Sequence, residues 1–273
     1  MARIWERLAR AARGPLRGAS GQFERLTLRA AALTYLSSLA LVPLGALALA
    51  VLGFVGLRSQ GVLLKQIVLA NLGLSRETAL EVGALMSQAD AGAASGLSGL
   101  LLLGAAAALF FQIEAAFNEI WEVKRKRPLG RRLLFFLGAI VAGPFCLGLS
   151  ILLTSTVGRS AVMEIPLVHW SLAIRPILLV FLGLFALYQL APNSRVQPFA
   201  AALAAALAAP AWEIAKHAYA VFAVRAFQRN ALIYGSLAAI PVLLLWIQLS
   251  WFIVLVGAQI ARSIQLALDT GTG

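Results

Sequence analysis

Between Phe199 and Val224 a long apolar run holds Trp212-Glu213-Ile214-Ala215-Lys216-His217, which puts a carboxylate, an amine and an imidazole within five positions. On a helix turning about 100° per residue, Ala202, Ala206, Ala209, Glu213, Lys216, His217 and Ala220 fall within about 60° of one direction. Leu203, Leu207, Ile214 and Val221 lie about a quarter turn away, on an apolar flank. A charge at mid-membrane depth costs about 2.5 to 3.5 kcal/mol on insertion scales, so it faces protein or a water-filled cavity. An alanine stripe beside Glu213 suits the first surrounding, because small residues let a neighbouring helix approach closely. Two roles fit these residues. Glu213 lines a solute or proton path while Lys216 or His217 tunes its protonation; or Glu213 and Lys216 form a local ion pair that lets the helix insert, with His217 capping it toward the outer water.

The other candidates for such a path are Tyr35, Gln112, Glu114, Asn118 and Gln248. Helix geometry puts Glu114 on the far side of mid-membrane from Glu213, where an interfacial, solvated carboxylate is expected. Asn118 is placed to bond a neighbouring helix end or the basic loop that follows it. No nucleophile and base occur at a workable spacing on one element, which argues against an enzyme. The two histidines, His169 and His217, are separated by a span, and Cys146 is the single cysteine, so no metal cluster, cofactor site or intrachain disulfide is expected.

The elements that must position these groups are membrane helices. Of 273 residues 61% are hydrophobic, and the mean hydropathy is +0.87, well outside the range of soluble domains. A formal charge of +12 invites a nucleic-acid reading. The placement of the cations argues against it: Arg3, Arg7, Arg10, Arg13, Arg17, Arg25 and Arg29 precede the first apolar run, and Lys124, Arg125, Lys126, Arg127, Arg131 and Arg132 share one short loop. Cytoplasmic flanks of membrane spans carry charge in this way.

Hydropathy predicts an all-α, polytopic membrane protein with six spans, at about 30–57, 95–117, 133–157, 174–190, 199–224 and 233–260. Both termini are expected in the cytoplasm, which puts fifteen basic residues inside and seven outside. Residues 1–29 form a basic segment, 30–264 the transmembrane domain and 265–273 a cytoplasmic tail. In the first segment Ile4, Trp5, Leu8 and Ala12 oppose Arg3, Arg7 and Arg10, either as an amphipathic helix on an anionic leaflet or as a frayed basic tail. Gly14, Pro15, Gly18 and Gly21 are expected to interrupt any helix before Phe23. The 58–91 stretch reads as two short amphipathic helices outside the membrane. The first apolar run is too long for a cleaved signal peptide and is expected to remain. Pro43, Pro144, Pro210 and Pro241 place one potential kink in each of four spans.

Several stretches resemble the YihY/BrkB family of bacterial inner-membrane proteins. They are Ala30-Ala31-Ala32-Leu33-Thr34-Tyr35 with Pro43, Ala116-Phe117-Asn118-Glu119-Ile120-Trp121 before the basic loop, Gly143-Pro144, Leu190-Ala191-Pro192-Asn193, Trp212-Glu213-Ile214-Ala215-Lys216 and Ile233-Tyr234-Gly235-Ser236 through Pro241. Gln259 departs from the pattern, where members tend to carry Glu. The resemblance implies a six-helix inner-membrane protein, with links to serum resistance and to export of ions or compatible solutes. An older ribonuclease label attached to the family finds no support in these residues. The expected function is export or transport of a small solute or ion, with cation or proton coupling. The alternative is a non-catalytic envelope protein that organises the membrane through lipid or protein partners. Expected partners are the bilayer itself, anionic lipids at Arg3, Arg7, Arg10 and Lys124 to Arg132, and an unidentified small solute, with no nucleic acid.

Overall fold

A computed structural model describes residues 19–54, 96–124, 127–138, 166–234 and 239–270. The amphipathic segment at 3–13, the 58–91 stretch and most of the expected third span lie outside them. Six helices and no strand occur among the described residues. They are α1 (Ala19–Phe54), α2 (Gly96–Ile120), α3 (129–138), α4 (Pro166–Leu190), α5 (Pro198–Tyr234) and α6 (Ala239–Asp269). Pro198–Ala223 and Ile240–Asp269 are long and apolar enough to cross a membrane, and Ile177–Leu190 is a shorter apolar helix.

Three element ends differ from expectation. Helix α1 begins at Ala19 and runs through Gly21, because a lone glycine near a helix start costs only about 1 kcal/mol relative to alanine. Helix α5 continues past 224 to Tyr234, so Arg225 lies on a helix and not in a connection. Pro241 sits in the first turn of α6, where its missing N–H would have had no helical partner, so it does not kink a span. Pro210 does fall inside α5, and its ring removes the hydrogen bond otherwise made to the carbonyl of Ala206.

Helix α6 packs along both α1 and α5, α5 also packs along α4, and α1 along α2. In lipid no hydrophobic effect drives helices together, so close van der Waals fit must do so. Helix α5 supplies that fit with Ala200, Ala201, Ala204, Ala205, Ala208 and Ala209, all buried. This is a different alanine face from the one centred on Glu213: Ala206 and Ala220 are exposed and only Ala209 belongs to both. The face turned to α4 and α6 centres about 100° away, near Ala201, Ala205 and Ala208. Glu213 therefore lies at its margin.

The tightest point of the bundle is between α4 and α6. Tyr188 is fully buried and donates its hydroxyl to the Val254 carbonyl at 3.2 Å, while Phe117 of α2 packs at 6.3 Å between ring centroids. A Cβ at Gly257 would overlap the Tyr188 hydroxyl and lie 3.1 Å from the Ala208 methyl group. Gly257→Ala should therefore destabilise by about 1 to 3 kcal/mol, the usual cost of overpacking. Gly183→Ala, where nothing lies within 4 Å, should change little. Thermal midpoints of the two purified variants in the same detergent check this.

Candidate functional site

Glu213 is 8% exposed, and its Oε2 lies 2.6 Å from Lys216 Nζ, one turn along α5. The other oxygen, Oε1, is buried and has no hydrogen-bond partner among the described residues. His217 is exposed; its Nδ1 sits 2.7 Å from the Glu213 carbonyl. A carbonyl only accepts, so Nδ1 carries a proton and donates it. Ile214, on the apolar flank, is 70% exposed. On the packed side Trp212 and Tyr219 meet Trp246 of α6 at 5.9 and 4.9 Å between centroids. The Tyr219 hydroxyl donates to the Val242 carbonyl at 2.5 Å.

The two helices run antiparallel. Gln197 meets Gln265, Ala200 packs with Ile264, Ala208 faces Gly257 and Tyr219 faces Trp246. That register sets Ala215 opposite Ser250, so Ser250 lies within one turn of the depth of Glu213 and Lys216. Its hydroxyl is also buried without a partner among the described residues. At the same depth the other side of α6 carries polar contacts to α1. The Thr34 hydroxyl is shared between the Ala30 carbonyl at 2.7 Å and Gln248 Oε1 at 3.0 Å. Gln248 Nε2 donates to the Thr27 carbonyl at 3.2 Å, and Trp251 Nε1 donates to Ser37 Oγ at 2.8 Å. A polar layer thus crosses α1, α6 and α5, and Glu213, Lys216, His217 and Gln248 belong to it. Tyr35, 64% exposed, and Gln112, also exposed, face outward and do not.

Glu114 and Asn118 belong to a second cluster, at the α2–α3 elbow. Glu114 is 3% exposed, which corrects the expectation of a solvated carboxylate. Helix α3 folds back on α2, packing Phe136 on Phe110 and Phe111. That brings Arg132 Nε to 2.5 Å from Glu114 Oε2, with Nη2 donating to the Phe111 carbonyl at 3.1 Å and the guanidinium 4.0 Å from the Phe111 centroid. Arg127 caps α4: Nη2 donates to the carbonyls of Leu190 and Pro192 at 2.9 and 3.0 Å, and Nε to Asn193 Oδ1 at 3.2 Å. Burial pushes its pKa down, more than the nearby Glu114 carboxylate and Arg131 guanidinium shift it. Asn118 Oδ1 accepts from the Asn193 backbone N–H at 2.7 Å, so it reaches the α4–α5 turn. Arg262 of α6 caps α2 in turn, donating to the Ile120 carbonyl at 2.7 Å and pairing with Glu122 at 2.7 Å. Arg29 of α1 pairs with Glu119.

Glu122 has φ of 50°, a left-handed position after the end of α2 where glycine is the usual residue. Val123 N–H to the Asn118 carbonyl at 2.8 Å closes that turn. The hydrogen bond and charge of Arg262 hold the Glu122 carboxyl below its usual range. A depressed carboxylate contributes stability above its unfolded pKa and loses it as pH falls through the folded value. Of the loop cations expected to meet lipid, Arg127 and Arg132 are turned inward, Lys124 and Arg131 are exposed, and Arg125 and Lys126 lie outside the described residues.

Sequence reasoning did not pick out Thr34, Ser250, Asn193, Arg127 or Arg262 as site residues. Asn193 and Arg127 lay inside the quoted turn and basic loop, where types alone do not say which side chain points inward. Arg127→Ala leaves two carbonyls uncapped and should cost about 1 to 3 kcal/mol, whereas exposed Arg131→Ala should stay within about 0.5 kcal/mol. Glu122→Gln should be less stable than wild type at neutral pH, and the difference should vanish on acidification. Thermal melts across pH read both.

The family model "Virulence factor BrkB" matches residues 21–272. A UPF0761 membrane protein of Vibrio parahaemolyticus is 32% identical over 246 residues, covering 88% of this chain and 78% of that protein. Another, of Paraburkholderia xenovorans, is 32% identical over 250 residues, covering 88% and 57%. A third, of Nitrosospira multiformis, is 35% identical over 243 residues, covering 86% and 56%. The chain thus spans little more than half the length of the last two. No solved structure matches it. The match runs from the third residue of α1 through the end of α6, across both polar clusters, and on that ground the chain belongs to the BrkB family of membrane proteins.

Proposed function

We propose that the chain is a multi-pass protein of the bacterial inner membrane that moves a small solute or ion across it, coupled to a cation or proton, with Glu213 lining the path. The observation that carries this reading is the buried Oε1 of Glu213, which has no hydrogen-bond partner among the described residues. A purely structural ion pair at hydrocarbon depth is stable only when its remaining lone pairs are satisfied. An orphaned oxygen costs about 1 to 3 kcal/mol or more on a charged group, and such a cost is retained where a ligand or proton visits. Exposed His217 lies one turn further along α5, with its Nδ1 on the Glu213 backbone carbonyl.

The orientation we propose has six spans with both ends cytoplasmic. Inward-facing Arg127, Arg132 and Arg262 then cap and pair at the cytoplasmic ends of α2 and α4, while exposed Lys124 and Arg131 meet anionic headgroups together with the basic N-terminal segment. In this reading the chain is a carrier and performs no covalent catalysis.

Solute and cation flux from proteoliposomes tests the proposal. Wild type should move a solute or cation, and Glu213→Gln should abolish that flux while remaining folded. Gln112→Leu and Tyr35→Phe, on outward faces, should keep it within about twofold. If no member of a broad panel moves, Glu213 and Lys216 are an insertion pair and the envelope-organising role takes the place of transport.

A further inference from the structure

We propose that the seam between the ends of α2 and α4 binds a phosphate group, received by the indole N–H of Trp121 and the side-chain amide of Gln189. Helix α2 packs chiefly along α1 and reaches the end of α4 through single side chains. The Phe117 ring lies 6.3 Å from that of Tyr188, and Asn118 Oδ1 accepts the Asn193 N–H at 2.7 Å. Trp121 follows Phe117 by one turn, with its backbone N–H on the Phe117 carbonyl at 2.9 Å, and its ring packs against the core that holds Tyr188. Gln189 is the residue after Tyr188 on α4. Trp121 Nε1 and Gln189 Nε2 are both buried, and neither has an acceptor among the described residues. Well-packed interiors rarely leave such donors unmade.

Both groups donate, so what the seam lacks is an acceptor, and the acceptors around it are in use. Arg132 holds Glu114, Arg29 holds Glu119 and Arg262 holds Glu122. Arg127 takes the Leu190 and Pro192 carbonyls and Asn193 Oδ1, and Arg262 takes the Ile120 carbonyl. Four guanidiniums thus meet three carboxylates here, and exposed Lys124 and Arg131 add to the positive side. Water would supply an acceptor and leave that excess in place, whereas an oxyanion answers both. A phosphate group has several oxygens and accepts from separate donors at once. The end of an apolar helix followed directly by a basic loop lies at headgroup depth, which gives the group two sources, a lipid headgroup or a free phosphate ion. Lys124 and Arg131 attract such a group from a distance. Trp121 and Gln189 are neutral and can only hold one that has arrived, which makes this a site and not a diffuse surface field.

The test uses full-length protein, stripped of lipid in dodecyl maltoside, a detergent without phosphate. Native mass spectrometry counts the phosphate groups retained per chain after addition of inorganic phosphate or of phosphatidylglycerol. Wild type should retain a single one in at least one arm. Retention of the lipid alone names a headgroup; retention of inorganic phosphate, in competition with the lipid where both bind, names the free ion. Trp121→Phe and Gln189→Leu should each weaken that binding by about tenfold or more, whereas Lys124→Ala with Arg131→Ala should change it by less than about threefold. Both seam variants delete an unpaired buried donor, so without ligand they should melt no lower than wild type. Ultraviolet resonance Raman of the wild type needs no variant: the indole band that reports N–H hydrogen bonding should shift with the retained phosphate group and stay in place with chloride. Absence of stoichiometric retention in both arms, an unshifted indole band, or binding that follows Lys124 and Arg131 and not Trp121 and Gln189 overturns the site. None of these readouts involves flux, so the site stands or falls apart from transport.

Discussion

Within a bilayer no water is present to satisfy a polar group, and the arrangement of this bundle follows from that constraint. Each charge and polar group buried in the bundle must find its partner in the chain, and at the helix ends side chains take up carbonyls that water would otherwise meet. Arg127 satisfies the last carbonyls of α4, Arg262 those of α2, Arg132 the carboxylate of Glu114, and Gln248 a carbonyl and a hydroxyl of α1. All but the Arg132–Glu114 pair join elements distant in sequence. Apolar packing then closes around them, as close as Gly257 and the alanines of α5 allow. Among the described residues four buried polar atoms lack a partner, Trp121 Nε1, Gln189 Nε2, Glu213 Oε1 and Ser250 Oγ, and the two oxygens lie together at the deeper layer.

Much of this was legible in the sequence because lipid imposes a simple rule. Hydropathy located the apolar helices α5 and α6 that can cross a membrane, and Glu213, Lys216 and His217 announced themselves as charges inside such a run. Rotation was not legible. The alanines of α5 are spread around the helix, so composition alone could not say whether Ala206 or Ala205 faces a neighbour, and the packed face proved to be about 100° from the direction of Glu213. Long-range pairing was equally hidden. Arg132 is eighteen residues from Glu114, and only the fold-back of α3, driven by its phenylalanines, shows that a residue expected at the surface is sealed with a guanidinium.

The two polar clusters are complementary. The elbow consists of groups whose hydrogen bonds are nearly complete, apart from Trp121 and Gln189, and its members reach across helices. The deeper layer has α6 at its centre, with satisfied contacts toward α1 and unsatisfied oxygens on its α5 side. At one depth α6 thus carries satisfied contacts on one face and, among the described residues, an unpartnered hydroxyl on the other. Pro210, one turn before Glu213, also frees the Ala206 carbonyl, which places a helix irregularity beside the carboxylate.

The most direct measurement is difference infrared spectroscopy of the protein in lipid, with Glu213→Gln as reference. A carboxylate that lines a path must exchange with the medium. The account predicts a carboxyl or carboxylate band, absent from the variant, that changes when bulk pH is stepped and when water is replaced by deuterium oxide. A Glu213 band insensitive to both would show a sealed ion pair and would contradict it.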